Sequence, residues 1–360
     1  MSKTLTLAID AMGGDSGPEA ILEGAARAIQ NGLDADFLIY GRERDLAGPL
    51  KALSVLAARA ELRHADDVIA MEDKPSQVLR RSKNSSMWGA ISAVKEGEAE
   101  AVVSSGNTGA LMAISRLQLR TIEGVARPAI AALWPTPRGR SVVLDVGANV
   151  EADAEELVRF AIMGEAFFRA LFREQKPSVG LLNVGAEELK GHELIRTAST
   201  ILQEADPDMN FHGFVEGDDI SAGTVDVVVT DGFSGNIALK SAEGTARLVG
   251  SYVKGALTGS VLSKLGALFM MGALKELRNK MDPSSVNGGV FLGLNGVVVK
   301  SHGGADAKGA ASAIEMAANL VGRGFRREVT QTVARVMARA EELESADEDV
   351  ARKLEGTAAE

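Results

Sequence analysis

The stretch Ala101-Val102-Val103-Ser104-Ser105-Gly106-Asn107-Thr108-Gly109-Ala110-Leu111-Met112 reads as a buried strand, a short polar turn and the opening of a helix. That order aims several backbone N–H groups and the positive end of a helix at one spot, which is how proteins hold phosphate without a metal. Ser104, Ser105, Asn107 and Thr108 add side-chain donors, and Gly106 and Gly109 permit close approach of backbone to a ligand. An ordinary strand-to-helix turn with Asn107 or Thr108 as N-cap satisfies the same pattern.

Working outward, apolar β-branched runs recur at 5–9, 37–40, 141–144, 179–182 and 225–229, each closing in a Gly- or Asp-bearing turn. Helical patterns over 18–30, 85–95 and 154–172 separate them. The alternation predicts βαβ units with right-handed crossovers. It implies an α/β, Rossmann-like three-layer αβα fold around a mainly parallel sheet. Ligands of such sheets gather at the carboxyl ends of strands.

Composition narrows the function classes. The 360 residues are enough for one large α/β domain. A net charge of −10 disfavours non-specific nucleic-acid binding, and aromatics at 4% offer no base-stacking platform. An acidic partner must meet a local basic patch. The chain has no cysteine, which excludes disulfides, thiolate zinc sites and cysteine nucleophiles and suits a reducing cytoplasm. The pattern predicts no signal peptide and no spanning run of about 20 apolar residues.

Five further strand ends carry polar turns. Asp10-Ala11-Met12-Gly13-Gly14-Asp15 precedes a helix that Pro18 opens. The two aspartates either orient a ligand or hold the turn. Asp145 ends a strand and Asn149 precedes a helix, where capping accounts for both. Asn183, Glu187, Lys190 and His192 share one loop, in which Lys190 can stabilise an oxyanion and His192 can move a proton. Asp231, Ser234, Gly235 and Asn236 repeat the chemistry of the 104–109 turn, so the two turns can face each other across one crevice. Lys300 and His302 end the last strand before a glycine pair and a helix from Ala307. Arg80, Arg81 and Lys83 form a cationic group, readable as a phosphate neutraliser, a dock for an acidic partner or a plain solvated face. No GxGxxG, Walker A, Ser–His–Asp or metal-ligand pattern is found, so neither cofactor nor metal is expected.

These loops, in this order, resemble the bacterial acyl-ACP:phosphate acyltransferase family of phospholipid synthesis. The matching segments are AIDAMGGD (8–15), KNSSM (83–87), SSGNTGALMA (104–113), LDVGAN (144–149), GLLNVGAEELKG (180–191), GFVEGDDI (213–220), VVTDGFSGNIALK (228–240) and FLGLNGVVVKSHGGAD (291–306). His192 stands where the family tolerates other residues. The resemblance implies transfer of a fatty acyl group from acyl carrier protein to inorganic phosphate, giving acyl phosphate. A membrane acyltransferase then passes that group to glycerol 3-phosphate. It implies a fold like those of isocitrate and isopropylmalate dehydrogenases and of phosphotransacetylases, in a cytoplasmic homodimer at the inner face of the membrane. Orthophosphate is already a competent nucleophile and a thioester already activated, so positioning and oxyanion stabilisation suffice. Lys190, Asn183, Asp231 and Asn236 are the expected catalytic group. Asp10, Gly13, Gly14, Ser105, Gly106, Asn107, Thr108, Gly109, Ser234, Gly235 and His302 are the expected substrate and phosphate contacts. Two rival readings are a phosphotransacetylase-like enzyme of short acyl-CoA and a non-catalytic carrier-protein scaffold.

Residues 254–280 have a different character. Leu268 and Phe269 sit within a broad apolar pattern, and Lys254, Lys264, Lys275, Arg278 and Lys280 oppose the single acid Glu276. Too interrupted to span a bilayer, the segment suits an interfacial anchor, a dimer contact, an acyl-chain cover or a packed helical pair. The expected organisation is one domain over 1–335, with 250–283 protruding as an amphipathic helical segment. An acidic helix or tail follows over 336–360.

Overall fold

A computed structural model describes residues 4–173, 176–260, 263–264, 269–272, 288–321 and 325–358. The order is β1 (Leu5–Asp10), α1 (Gly17–Gln30), β2 (Ala35–Gly41), α2 (Glu43–Ala52), α3 (Ser54–Ala57), β3 (Ala60–His64), α4 (Pro75–Arg81), α5 (Ser86–Glu96), β4 (Ala101–Ser104) and α6 (Thr108–Leu119). It continues through β5 (Ala129–Thr136), β6 (Gly139–Leu144), α7 (Ala154–Phe172), β7 (Ser178–Leu182), α8 (Glu193–Ala205), β8 (Asn210–Val215), α9 (Gly217–Ala222), β9 (Val227–Val229) and α10 (Gly232–Thr258). β10 (Gly289–Leu292), β11 (Val297–Lys300) and the helices Ala307–Val321 and Phe325–Ala358 complete it.

The strands form one 11-stranded sheet in the order β3-β2-β1-β4-β11-β10-β5-β6-β9-β7-β8. Pairing is parallel except at β11–β10, β10–β5 and β5–β6. The three antiparallel steps reverse the chain direction, so β3, β2, β1, β4 and β11 run one way and β6, β9, β7 and β8 the other. The register then does something the pattern of elements does not announce. A single transverse row passes through Leu62, Ile39, Ile9, Val103, Val299, Val290, Ala131, Leu144, Val229, Leu181 and Phe214. Every parallel-paired strand ends at this row or within two residues of it. The halves approach it from opposite sides, which collects all the polar turns along one line.

Side chains alternate across the sheet, as β geometry requires. Leu7, Ile9 and Val103 face one core with α1, α7, α8 and the two last helices. Ala8, Val102 and Val298 face the other with α5, α6 and α9, and partly buried Ala238, Leu239 and Ala242 of α10 pack there too. The mixed α/β architecture with a mainly parallel sheet is therefore as the alternation predicts. Differences from expectation are local. Residues 225 and 226 precede β9, and the Asp226 carboxylate accepts from the Ser178 N–H and hydroxyl at 2.8 Å each. Asn149 does not cap a helix. Asp153 caps α7 through a reciprocal pair with Glu156. Instead Asn149 donates to the Pro128 carbonyl and the Asp145 carboxylate, both at 2.9 Å.

Candidate active site

Two groups of neighbouring strand-end turns flank the central row. The first follows β1, β4 and β11. Asp10, Ser104 and Lys300 are register partners one residue beyond the apolar row, on adjacent strands and on one face. The buried Asp10 carboxylate accepts from the Ser86 and Ser104 hydroxyls at 2.6 Å each and from the Met12 N–H at 3.3 Å. Burial pushes its pKa up, against those hydrogen bonds and the Lys300 charge, which pull it down. Ser104 Oγ in turn accepts from the Gly106 N–H at 3.0 Å, so Asp10 shapes the 104–109 turn from beneath. A Cβ on Gly13 would lie 2.5 Å from the Gly106 nitrogen, a distance only glycine tolerates. Gly14 lies against Ser105 and the Gly303 carbonyl, which also accepts from the Asp15 N–H at 2.7 Å.

Asn107 serves the protein itself. Its Oδ1 accepts from the Ala110 N–H at 3.0 Å as the α6 N-cap. Its Nδ2 donates to the carbonyls of Ala70, Met71 and Asp73 at 3.2, 2.8 and 2.9 Å. Thr108 and Gly109 are exposed, Gly109 against Pro75, while Ser105 is buried. Exposed His302 accepts from the Gly304 N–H at 3.3 Å. Arg80 and Arg81 are exposed at the end of α4, which packs on α6 beside the turn.

The second group follows β6, β9 and β7. Buried Asp145 accepts from the N–H groups of Ile130, Gly147, Ala148 and Asn149 at 2.7–3.1 Å. Burial raises its pKa against those donors. Asp231 caps α10, accepting from the Ser234 N–H at 2.8 Å and hydroxyl at 2.9 Å. A Cβ on Gly235 would collide with the Asp145 carbonyl oxygen, so the two loops interlock through backbone. Asn236 is exposed beside Gly147. Next to this turn, Asn183 is 8% exposed and donates to the Gly185 and Lys190 carbonyls at 3.2 and 3.0 Å. Its Oδ1 has no partner among the described residues and lies against Gly191. Lys190 is exposed and pairs with Glu187 at 2.8 Å, which raises the ammonium's pKa and keeps it charged.

The 104–109 and 231–236 turns leave one row in opposite directions. From α10, whose Ala238, Leu239 and Ala242 pack against the second core, the Lys240 charge adds to burial in depressing the Lys300 pKa. Sequence reasoning quoted Ser86 within KNSSM without giving it a role and passed over the 70–73 loop, because their partners lie 76 and 34 to 37 positions away. Among the described residues no three His, Cys, Asp or Glu side chains are grouped as a metal site would need. Phe269 is 89% exposed and Lys264 exposed, whereas Leu268, Lys275 and Arg278 lie outside the described residues. None of the described helices is long and apolar enough to cross a membrane.

Residues 5–328 match the family described as "Fatty acid synthesis protein". A phosphate acyltransferase from Caulobacter vibrioides is 54% identical over 347 residues, spanning 96% of each chain. The chain belongs to this phosphate acyltransferase family. Membership makes it an acyltransferase enzyme of fatty-acid and lipid synthesis. The fold of this phosphate acyltransferase family member is shared with a phosphotransacetylase from Streptococcus pyogenes, at a TM-score of 0.59 and 18% identity over 89% of this chain and 95% of the other. A structure described as a 4-hydroxythreonine-4-phosphate dehydrogenase from Salmonella typhimurium gives 0.52 and 15%, covering 88% and 100%.

Proposed function

We propose that the chain moves a fatty acyl group from acyl carrier protein to inorganic phosphate by direct attack, with no acyl-enzyme. The observation that carries this is the gathering of amide-rich turns and lysines along one row of strand ends. Orthophosphate held by backbone amides of the first group attacks the thioester carbonyl; a C–O bond forms, the C–S bond breaks, and the carrier leaves as its thiol. Charge develops on the carbonyl oxygen, so donors fixed in advance lower the barrier. Lys190 and Asn236, both exposed beside the second group, supply that charge and donor. Asn183 and Asp231 position them, one by holding the Lys190 carbonyl and the other by capping α10.

The partners follow from the same surface. Arg80 and Arg81, with Lys83, are exposed beside the first group and suit an acidic carrier protein. Phe269, Met270 and Met271 are exposed apolar side chains within the basic 254–280 segment and suit the headgroup boundary of a membrane. There the acyl phosphate would pass to a membrane glycerol-3-phosphate acyltransferase. Exposed Phe233, Ile237, Leu248 and Tyr252 on α10 suit a second copy of the chain. The fold kinship we infer is with the isocitrate and isopropylmalate dehydrogenases. The same reading keeps 1–335 as one domain and 336–360 as an acidic extension.

The test is to incubate the protein with palmitoyl-carrier protein and phosphate and trap acyl phosphate as its hydroxamate. Hydroxamate that requires phosphate is expected. Stoichiometric acylation of the polypeptide without phosphate, read by intact mass, overturns direct attack. The phosphotransacetylase-like fold favours a second reading with short acyl-CoA, in which acetyl-CoA would turn over as well as the long-chain carrier thioester.

A further inference from the structure

We propose that the buried ammonium of Lys300 anchors a phosphoryl oxyanion between the turns after β4 and β11. Lys300 is 9% exposed, one residue past the apolar row. Its Nζ donates to the Ser105 carbonyl at 3.3 Å and to the Ser301 carbonyl, one in each turn. An ammonium has three protons. Two are placed, and no carboxylate forms an ion pair with Lys300 among the described residues. A buried cation with a donor unspent is costly unless an anion arrives to share it.

The surroundings are built for that anion. Asp10 and Asp15 act on Lys300 from the β1 end, and Lys240 acts on it from α10. The carboxylate of Asp10 is committed to Ser86 and Ser104, so it stabilises the lysine at a distance without covering it. Lys240 is a second cation from the other half of the sheet, exposed and tied to Glu243 at 2.9 Å. Two ammonium groups beside two glycine-lined turns offer an anion two donors to share, with Asp10, Asp15 and Glu243 as their counter-charges. Burial and Lys240 lower the Lys300 pKa to about 8, against the pull of Asp15 and Asp10. Lys300 is therefore poised to lose its charge just above neutral pH, and a bound dianion would hold that charge on. This inference rests on the reading that phosphate is held at these strand ends. The phosphoryl group is either free phosphate or the phosphodiester of the carrier's pantetheine arm.

Binding by calorimetry tests it without turnover. Lys300→Gln should weaken inorganic phosphate or holo-carrier protein at least tenfold, and Lys300→Arg should restore most of that affinity. A phosphate effect identifies free phosphate as the occupant; an effect on holo- but not apo-carrier protein identifies the phosphodiester. Sulfate, a dianion across pH 7–9.5, isolates the protein's own titration. Its Kd on the unmodified protein should rise about tenfold over that range, and Lys300→Arg should remove the rise. That pH series stands even where Lys300→Gln fails to fold. Folded Lys300→Gln protein that binds both phosphate and holo-carrier within twofold of wild type overturns the proposal, as does a flat sulfate profile. Failure of the wild-type protein to make hydroxamate would instead remove the proposed reaction and leave the anion site standing.

Discussion

At the scale of single residues, polar side chains in the strand-end turns divide into those that build the turn and those left facing outward. Asn107 is a builder: one side chain caps α6 and ties down three carbonyls of the 70–73 loop. Asn107→Ala should cost about 2 kcal/mol in urea unfolding, from the lost cap and the unsatisfied carbonyls. It should also raise the KM for phosphate more than it lowers kcat. Gly13 shows the backbone version of the same constraint. Gly13→Ala places a methyl 2.5 Å from the Gly106 nitrogen, so the turn must shift. At least a tenfold loss of kcat/KM is expected in the hydroxamate assay, with circular dichroism unchanged. Both residues are visible in the sequence as turn chemistry. Their partners are not, since 34 to 37 positions separate Asn107 from its acceptors and 93 separate Gly13 from Gly106 in the numbering.

At the scale of elements, the last helix illustrates how pattern and packing differ. Its acidic stretch from Glu341 to Asp349 reads as a solvated face. Yet Val329, Val333 and Val336 are fully buried at helical spacing against the core that holds α7. Arg335 bonds buried Asp206 at 3.2 Å, and Arg169 joins Glu165 and Glu328 at 2.8 Å each. The start of this helix therefore closes one face of the sheet. Val333→Asp should destabilise by about 3 kcal/mol or more, because a carboxylate would be buried without a partner. The midpoint of urea unfolding checks this. α10 is the contrasting case, with only Gly232 and Gly235 fully buried along its length. Phe269→Asp should likewise abolish sedimentation with anionic liposomes while leaving the thermal midpoint within about 2 °C, since an exposed side chain contributes little to stability.

At the scale of the whole molecule, pH couples the fold to the site. The folded protein holds Lys300 at about 8, below the ordinary lysine value of 10.5. Below pH 8 both folded and unfolded chains carry the proton, and the fold bears the full cost of a buried charge. Between pH 8 and 10.5 the folded chain releases it while the unfolded chain keeps it, so this contribution to stability rises with pH. The stability difference between wild type and Lys300→Met should move by about 3 kcal/mol in favour of wild type across that range. Saturating sulfate should flatten the change. Urea titrations at each pH provide the measurement.

Periodicity and turn chemistry in the sequence marked β1, β2, β4, β6, β7, β9 and β11, the helices α1, α5 and α7, and the turns that carry polar groups, while β3, β5, β8 and β10 went unmarked. These are local properties, decided by residues within a few positions of one another. Tertiary structure alone decided that the sheet reverses at β10 and β5, that both halves end on one row, and that Lys300 is buried beneath that line. Those outcomes depend on which strands pair and in what register. Register is set by contacts between residues more than 150 positions apart, such as Val103 with Val299 and Ala131 with Val290, and no local pattern records them.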